Sequence, residues 1–194
     1  MMFPVSISKE EVMERPLGRY EGKIGVYSKE EDINRVLDQL SEEDAVGFDT
    51  EAKPTFKKGQ RRRISLVQLS NDKEVYLLRI KDSGINNKMK EFFENDSVKK
   101  IGIGLIDDFQ LLNEIRQFEP QGFVDLNNTF TELGAQNIGA RNLAAMVLDI
   151  RISKSAQTSN WEAETLTEKQ LRYAATDAWI CLEIYKKLEY WGYI

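Results

Sequence analysis

The stretch Ala45-Val46-Gly47-Phe48-Asp49-Thr50-Glu51 decides the fold: a short apolar run that ends in two carboxylates spaced Asp-x-Glu. On a strand, residues i and i+2 project to the same face, so Asp49 and Glu51 stand side by side at its tip. Like charges held together there raise one another's pKa unless a cation neutralises them, which makes the pair a candidate site for a divalent ion. Spacing alone does not carry this. Asp72 and Glu74 repeat the pattern, but with Asn71 and Lys73 between two apolar runs they read as a solvated turn.

Outward from that strand, residues 24–27 read as a short edge strand. Ser28 with Glu31 reads as a capping box opening a helix, because Ile33, Val36, Leu37 and Leu40 follow at i, i+3, i+4 and i+7. After the 45–50 strand, apolar runs at 64–69 and 75–78 are separated only by the turn 71–73, so they pair antiparallel. A helix over 86–94, a central strand over 100–104, a helix over 108–116 and a strand over 122–125 come next. Beyond 126 only helical patterns remain, at 129–133, 142–148 and 167–190, the last opened by a capping box of Thr167 and Gln170. This order predicts an α/β fold whose mixed sheet is an antiparallel meander followed by parallel strands, flanked by helices, with a helical C-terminal part. Residues 1–22, polar and aperiodic, are expected to form an N-terminal arm that lies on the domain or is partly disordered, and 23–194 a single domain.

The composition, 41% hydrophobic and 30% charged over 194 residues, is that of an ordinary globular domain. The chain has no histidine, which excludes zinc sites of the usual kind, Ser-His-Asp triads and Cys-His dyads. Its one cysteine, Cys181, lies among Ile180, Leu182 and Ile184 and reads as a small buried hydrophobe. Oxygen ligands are what is left, and they favour Mg2+ or Mn2+. No run approaches the ~20 apolar residues of a membrane span, so no membrane partner and a cytoplasmic location are expected. The net charge of -5 is unevenly spread: Lys57, Lys58, Arg61, Arg62 and Arg63 crowd around Gly59. That cluster is either a solvated loop or a phosphate-contacting surface beside the acids.

Two further segments can supply partners to Asp49 and Glu51. Tyr173 and Asp177 are spaced i and i+4 on one helix face, and Ala174 and Ala175 between them let that face approach a sheet closely. Asp107 and Asp108 follow the strand carrying Gly102 and Gly104; spacing leaves open which faces the metals, and also whether they merely cap a helix. The Gly-x-Gly there lacks the third glycine of a dinucleotide fingerprint and no P-loop occurs, so no nucleotide cofactor is expected.

Together, Phe48-Asp49-Thr50-Glu51, the 100–112 stretch containing Ile-Asp107-Asp108-Phe-Gln-Leu-Leu, and the 166–178 stretch containing Tyr173-Ala-Ala-Thr-Asp177 resemble the three exonuclease motifs of the DEDDy 3'-5' exonucleases. Within that family the likeness is to the Werner syndrome exonuclease domain and the ribonuclease D group, which Lys154-Ser155 and Ser159-Asn160-Trp161 also resemble. The resemblance implies a ribonuclease H-like sheet, two metal ions, and hydrolysis at nucleic-acid 3' ends releasing nucleoside monophosphates. Carried over by motif, Asp49, Glu51 and Asp177 bind the first metal, Asp49 and Asp108 hold the second partly through water, and Tyr173 orients the attacking water. Lys154 and the 57–63 cluster are expected to contact the nucleic acid, DNA or RNA. The competing expectation is a non-catalytic nucleic-acid-binding module that uses the basic loop.

Overall fold

The computed structural model describes residues 2–54 and 62–194. Its centre is a six-stranded mixed sheet in the order β1-β4-β3-β2-β5-β6. The strands are β1 Lys23–Tyr27, β2 Ala45–Ala52, β3 Ile64–Ser70, β4 Glu74–Arg79, β5 Lys99–Gly102 and β6 Phe123–Asp125. The middle three form the expected antiparallel meander, while β1 joins β4, and β5 and β6 extend from β2, in parallel. Asp72 does lie at a turn while Glu74 opens β4, and they are ion-paired to Lys186 and Lys23 respectively.

Helices cover both faces, so β3 is buried at every position and reads as an unbroken hydrophobic run rather than an alternating one. On one face lie α2 Glu30–Leu40, α3 Asn87–Phe93 and α4 Ile106–Ile115, packed on Val46, Phe48, Val67, Leu69 and Leu78. The other face carries α5 Leu126–Glu132, α6 Ala140–Val147 and the long α7 Glu168–Tyr190. No helix among the described residues is long and apolar enough to cross a membrane.

Two local expectations are corrected, and the N-terminal segment carries a helix of its own. The helix after β1 begins at Glu30 with Lys29 as its uncapped N-cap, so Ser28 forms no capping box; Glu30, Glu31 and Asp32 in the first turn instead complement the helix dipole. Helix α4 begins before Asp107 and Asp108, which occupy its first turn and do not cap it. Residues 2–22 are more than a polar arm. They contain a helix, α1 Lys9–Glu14, closed by a capping box between Ser8 and Glu11, and they bury Phe3, Ile7 and Val12 against α5, α6 and α7. The segment looks aperiodic because it contributes single anchors to someone else's core, not a stripe of its own. Beyond α1 it is tied down by the Arg15–Asp149 ion pair at 2.7 Å and by hydrogen bonds from Gly18 N–H to Arg151 and from Arg151 N–H to Pro16.

Candidate active site

The period of two along β2 sorts its side chains. Val46 and Phe48 enter the core under α2 and α3, where Phe48 meets Phe93 and Phe123 edge-on, and Gly47, Asp49 and Glu51 point toward α7. Helix α7 starts at the Thr167–Gln170 capping box, and the Gln170 amide also donates to Asn160 O at 3.1 Å. The neighbouring Trp161, fully buried, lies 6.0 Å from the Tyr173 ring. Asn160 and Trp161 thus fix the end of α7 from which Tyr173 and Asp177 project.

Ala174, Ala175 and Ala178 are completely buried where α7 crosses the sheet. Gly47 makes the crossing closer still: a Cβ there would lie 2.0 Å from Ala178 O and 2.3 Å from Ser70 Oγ, and that hydroxyl donates to the same carbonyl at 3.0 Å. The consequence is convergence. Asp49, Glu51 and Asp177 each offer a carboxylate oxygen, and these oxygens all lie within 4.8 Å of one another.

Asp108 reaches the site from α4, on the other side of the sheet. Its carboxylate accepts a hydrogen bond from the Thr50 hydroxyl, and it stands outside the three-acid cluster. Asp107 is exposed, so of the two it is Asp108 that packs against the strand tip. The turn leading to α4 is held by Asp125 at the end of β6, whose carboxylate accepts from the backbone N–H of Gly104 (2.8 Å), Leu105 (2.9 Å) and Asn127 (2.9 Å). The amides that a Gly-x-Gly turn might offer a phosphate are therefore taken by a protein carboxylate.

The electrostatics follow from this crowding. Burial, with added repulsion from Asp177 and Asp108, pushes Glu51 up to about 9, and Asp49 rises for the same reasons. Burial raises Asp177 to about 7, against the opposing pull of Tyr173 and Lys154. Asp108 is raised to about 6, again by burial, with the Thr50 hydrogen bond acting downward. Carboxylates in this state lack a counter-charge, and three oxygens so close together are a donor set suited to a hard divalent cation. The residues present thus fit the metal that the motifs imply. Tyr173 is pushed well above its ordinary value by burial and by Asp177, Glu51 and Asp49, so its phenol stays protonated. Cys181 is buried in the cavity wall with its thiol pushed up, as a structural cysteine should be.

The acids open into a cavity of about 1000 Å³. Arg62 and Lys154 line it, and their charges oppose the upward shifts of Glu51 and Asp108 and of Asp177 respectively. Arg63 is exposed and is not part of the lining. Lys57, Lys58 and Arg61 lie outside the described residues. Sequence reasoning missed Gly47, Asp125 and Gln68. Gln68 is fully buried directly opposite Asp49, with neither amide atom bonded among the described residues. The one signal for it is the strand register, which a single sequence does not display.

Residues 25–190 match the family model described as 3'-5' exonuclease. The bifunctional 3'-5' exonuclease/ATP-dependent helicase WRN of Mus musculus is 36% identical over 157 residues, covering 77% of this chain and 11% of that protein. In three dimensions the chain is similar to the Nibbler EXO domain of Aedes aegypti, with a TM-score of 0.78 at 24% identity, covering 90% of this chain and 93% of that one. It is also similar to Escherichia coli RNase D, with a TM-score of 0.75 at 20% identity, covering 89% and 47%. The chain spans between 11% and 42% of the length of the first curated relatives it matches.

Proposed function

Because this chain belongs to the 3'-5' exonuclease family, we propose that it hydrolyses phosphodiester bonds one nucleotide at a time from nucleic-acid 3' ends, with two divalent ions held by its acids. The observation that carries the reading is the meeting of Asp49, Glu51 and Asp177 in one cavity with Tyr173 beside them. Asp49, Glu51 and Asp177 would hold one ion, Mg2+ or Mn2+, and Asp49 with Asp108 the other. When bound, the ions supply acidification of a water and stabilisation of the leaving oxygen in an in-line displacement.

The chain's own groups do the rest. Thr50 steers Asp108 toward the strand tip through its hydroxyl, and Asp125 fixes the turn that brings Asp108 there. Tyr173, protonated at working pH, is a hydrogen-bond donor and orients the water; a phenol raised this far is no general base. Arg62 and Lys154 bring positive charge to a cavity that would otherwise repel a phosphodiester. The partner is nucleic acid, and the released product is a nucleoside 5'-monophosphate.

The test is a 5'-labelled oligonucleotide incubated with Mg2+ or Mn2+, alongside Asp49→Ala and Tyr173→Phe. A descending ladder is expected from the parent and none from Asp49→Ala; equal ladders from the two would reject the assignment. Tyr173→Phe should lose about a hundredfold in turnover, as positioning losses do, while its Mn2+ affinity stays at the parent value.

A further inference from the structure

The cavity is larger than the acid cluster requires. At about 1000 Å³ it stands at the top of the roughly 300–1,000 Å³ range of pockets that take one small ligand, and only part of its wall is acidic. Another part is built by α1 and by the start of α6: Lys9 and Met13 from the first, Arg141 from the second and Ile138 from the turn just before it. Arg141 enters no ion pair among the described residues, nor does Lys9. The remaining residues of the chain, 55–61 and Met1, contain no acid that could serve. Among the described residues the Arg141 Nε is buried without an acceptor, and its Nη2 meets only the Met13 sulfur at 3.9 Å. A guanidinium with an unmatched N–H gains most from an oxyanion able to accept two bonds at once, as a phosphate does. Beside it, Met13 and Ile138 are 59% and 38% exposed and offer apolar surface.

A charged fork next to an apolar shelf matches a phosphate joined to a flat base. We propose that the α1–α6 wall is a second nucleotide subsite, in which Arg141 and Lys9 hold a backbone phosphate upstream of the reacting one, and Met13 and Ile138 carry a base. It rests on the exonuclease reading for the direction of the strand, its 3' end at the acids. It also gives the N-terminal segment a role, since the pinning of residues 15–18 keeps Lys9 and Met13 on the cavity wall.

The experiment measures binding, not turnover. Affinities for a fluorescein-labelled thymidine trinucleotide and for thymidine 5'-monophosphate are compared with Ca2+ in place of Mg2+. Arg141→Ala should weaken the trinucleotide about tenfold or more, and lower its salt dependence by about one unit of log–log slope, while the mononucleotide is unaffected. Arg141→Lys, which keeps the charge, should recover part of the loss. Unchanged trinucleotide affinity in Arg141→Ala, or equal weakening of both ligands, overturns the subsite. Arg141-dependent trinucleotide binding in a protein that cleaves nothing would defeat the exonuclease reading and leave the subsite standing. Cleavage that proceeds equally well in Arg141→Ala, with equal trinucleotide affinity, would do the reverse.

Discussion

Replacing Gly47 by alanine tests whether the approach of α7 to β2 assembles the site. The added Cβ would sit 2.0 Å from Ala178 O and 3.0 Å from its carbonyl carbon, whereas real Cβ contacts stay beyond 3.0 Å. Backbone cannot swing aside as a side chain can, so the helix has to withdraw by about 1 Å at the residue following Asp177. Overpacking of this kind costs about 1–3 kcal/mol, and each kcal/mol lowers the melting temperature of a chain this size by about 2–4 °C. The larger effect falls on chemistry, because a shift of about 1 Å in a positioned group can cost about a hundredfold in rate. Ser70→Ala is the control. It deletes the hydrogen bond to Ala178 O without pushing the helix, and should cost about 1 kcal/mol with most activity retained. The assays are thermal unfolding, Mn2+ titration and the oligonucleotide ladder on all three proteins. If Gly47→Ala melts, binds Mn2+ and cleaves like the parent, the close crossing does not set the geometry of the acids and the reasoning fails.

Glu51, raised mainly by burial to about 9 from 4.5, and Asp177, raised to about 7 from 3.8, hold protons in the native state that the unfolded chain has already lost. Their contribution is complete below about pH 4 and fades as pH rises toward about 9. The metal-free protein in EDTA should therefore melt lower at about pH 9 than at about pH 6, with Glu51→Gln flattening the trend; a melting temperature that climbs over that window would contradict the assignment. Added Mn2+ should stabilise most at the alkaline end, where the ligands are free of protons. Asp125→Ala leaves three backbone N–H groups without their acceptor, at a cost of about 1–3 kcal/mol. It should lower turnover through Asp108 while binding at the Asp49–Glu51–Asp177 cluster is kept, and a parallel loss of both would show that Asp125 merely maintains the fold.

Much of this architecture is legible in sequence because it is local. The turn at 71–73 dictates an antiparallel pair, Thr167 and Gln170 mark the start of α7, and the i, i+4 spacing of Tyr173 and Asp177 puts both on one face. What escaped are features whose reason lies far along the chain. The helix at residues 9–14 is stabilised by anchors buried against α5, α6 and α7, and the value of Gly47 depends on a carbonyl 131 residues away. Asp125 looks like any strand-ending acid until Gly104 and Leu105 are seen donating to it.

By itself the sequence determined which groups are open to this protein: without histidine, and with acids in three separated motifs, carboxylates with Lys, Tyr and Ser are what remain, and any metal they hold would be ligated by oxygen. Periodicity and caps also fixed most elements, since those signals reside in neighbouring residues. Only the tertiary structure decided that three acids from β2 and α7 share one cavity, that Asp108 meets the strand tip through Thr50 while Asp107 is exposed, and that α1 forms part of the cavity wall. The physical reason is that strand register and helix-to-sheet distance are set by packing summed over the whole core, and no short stretch of chain carries that sum.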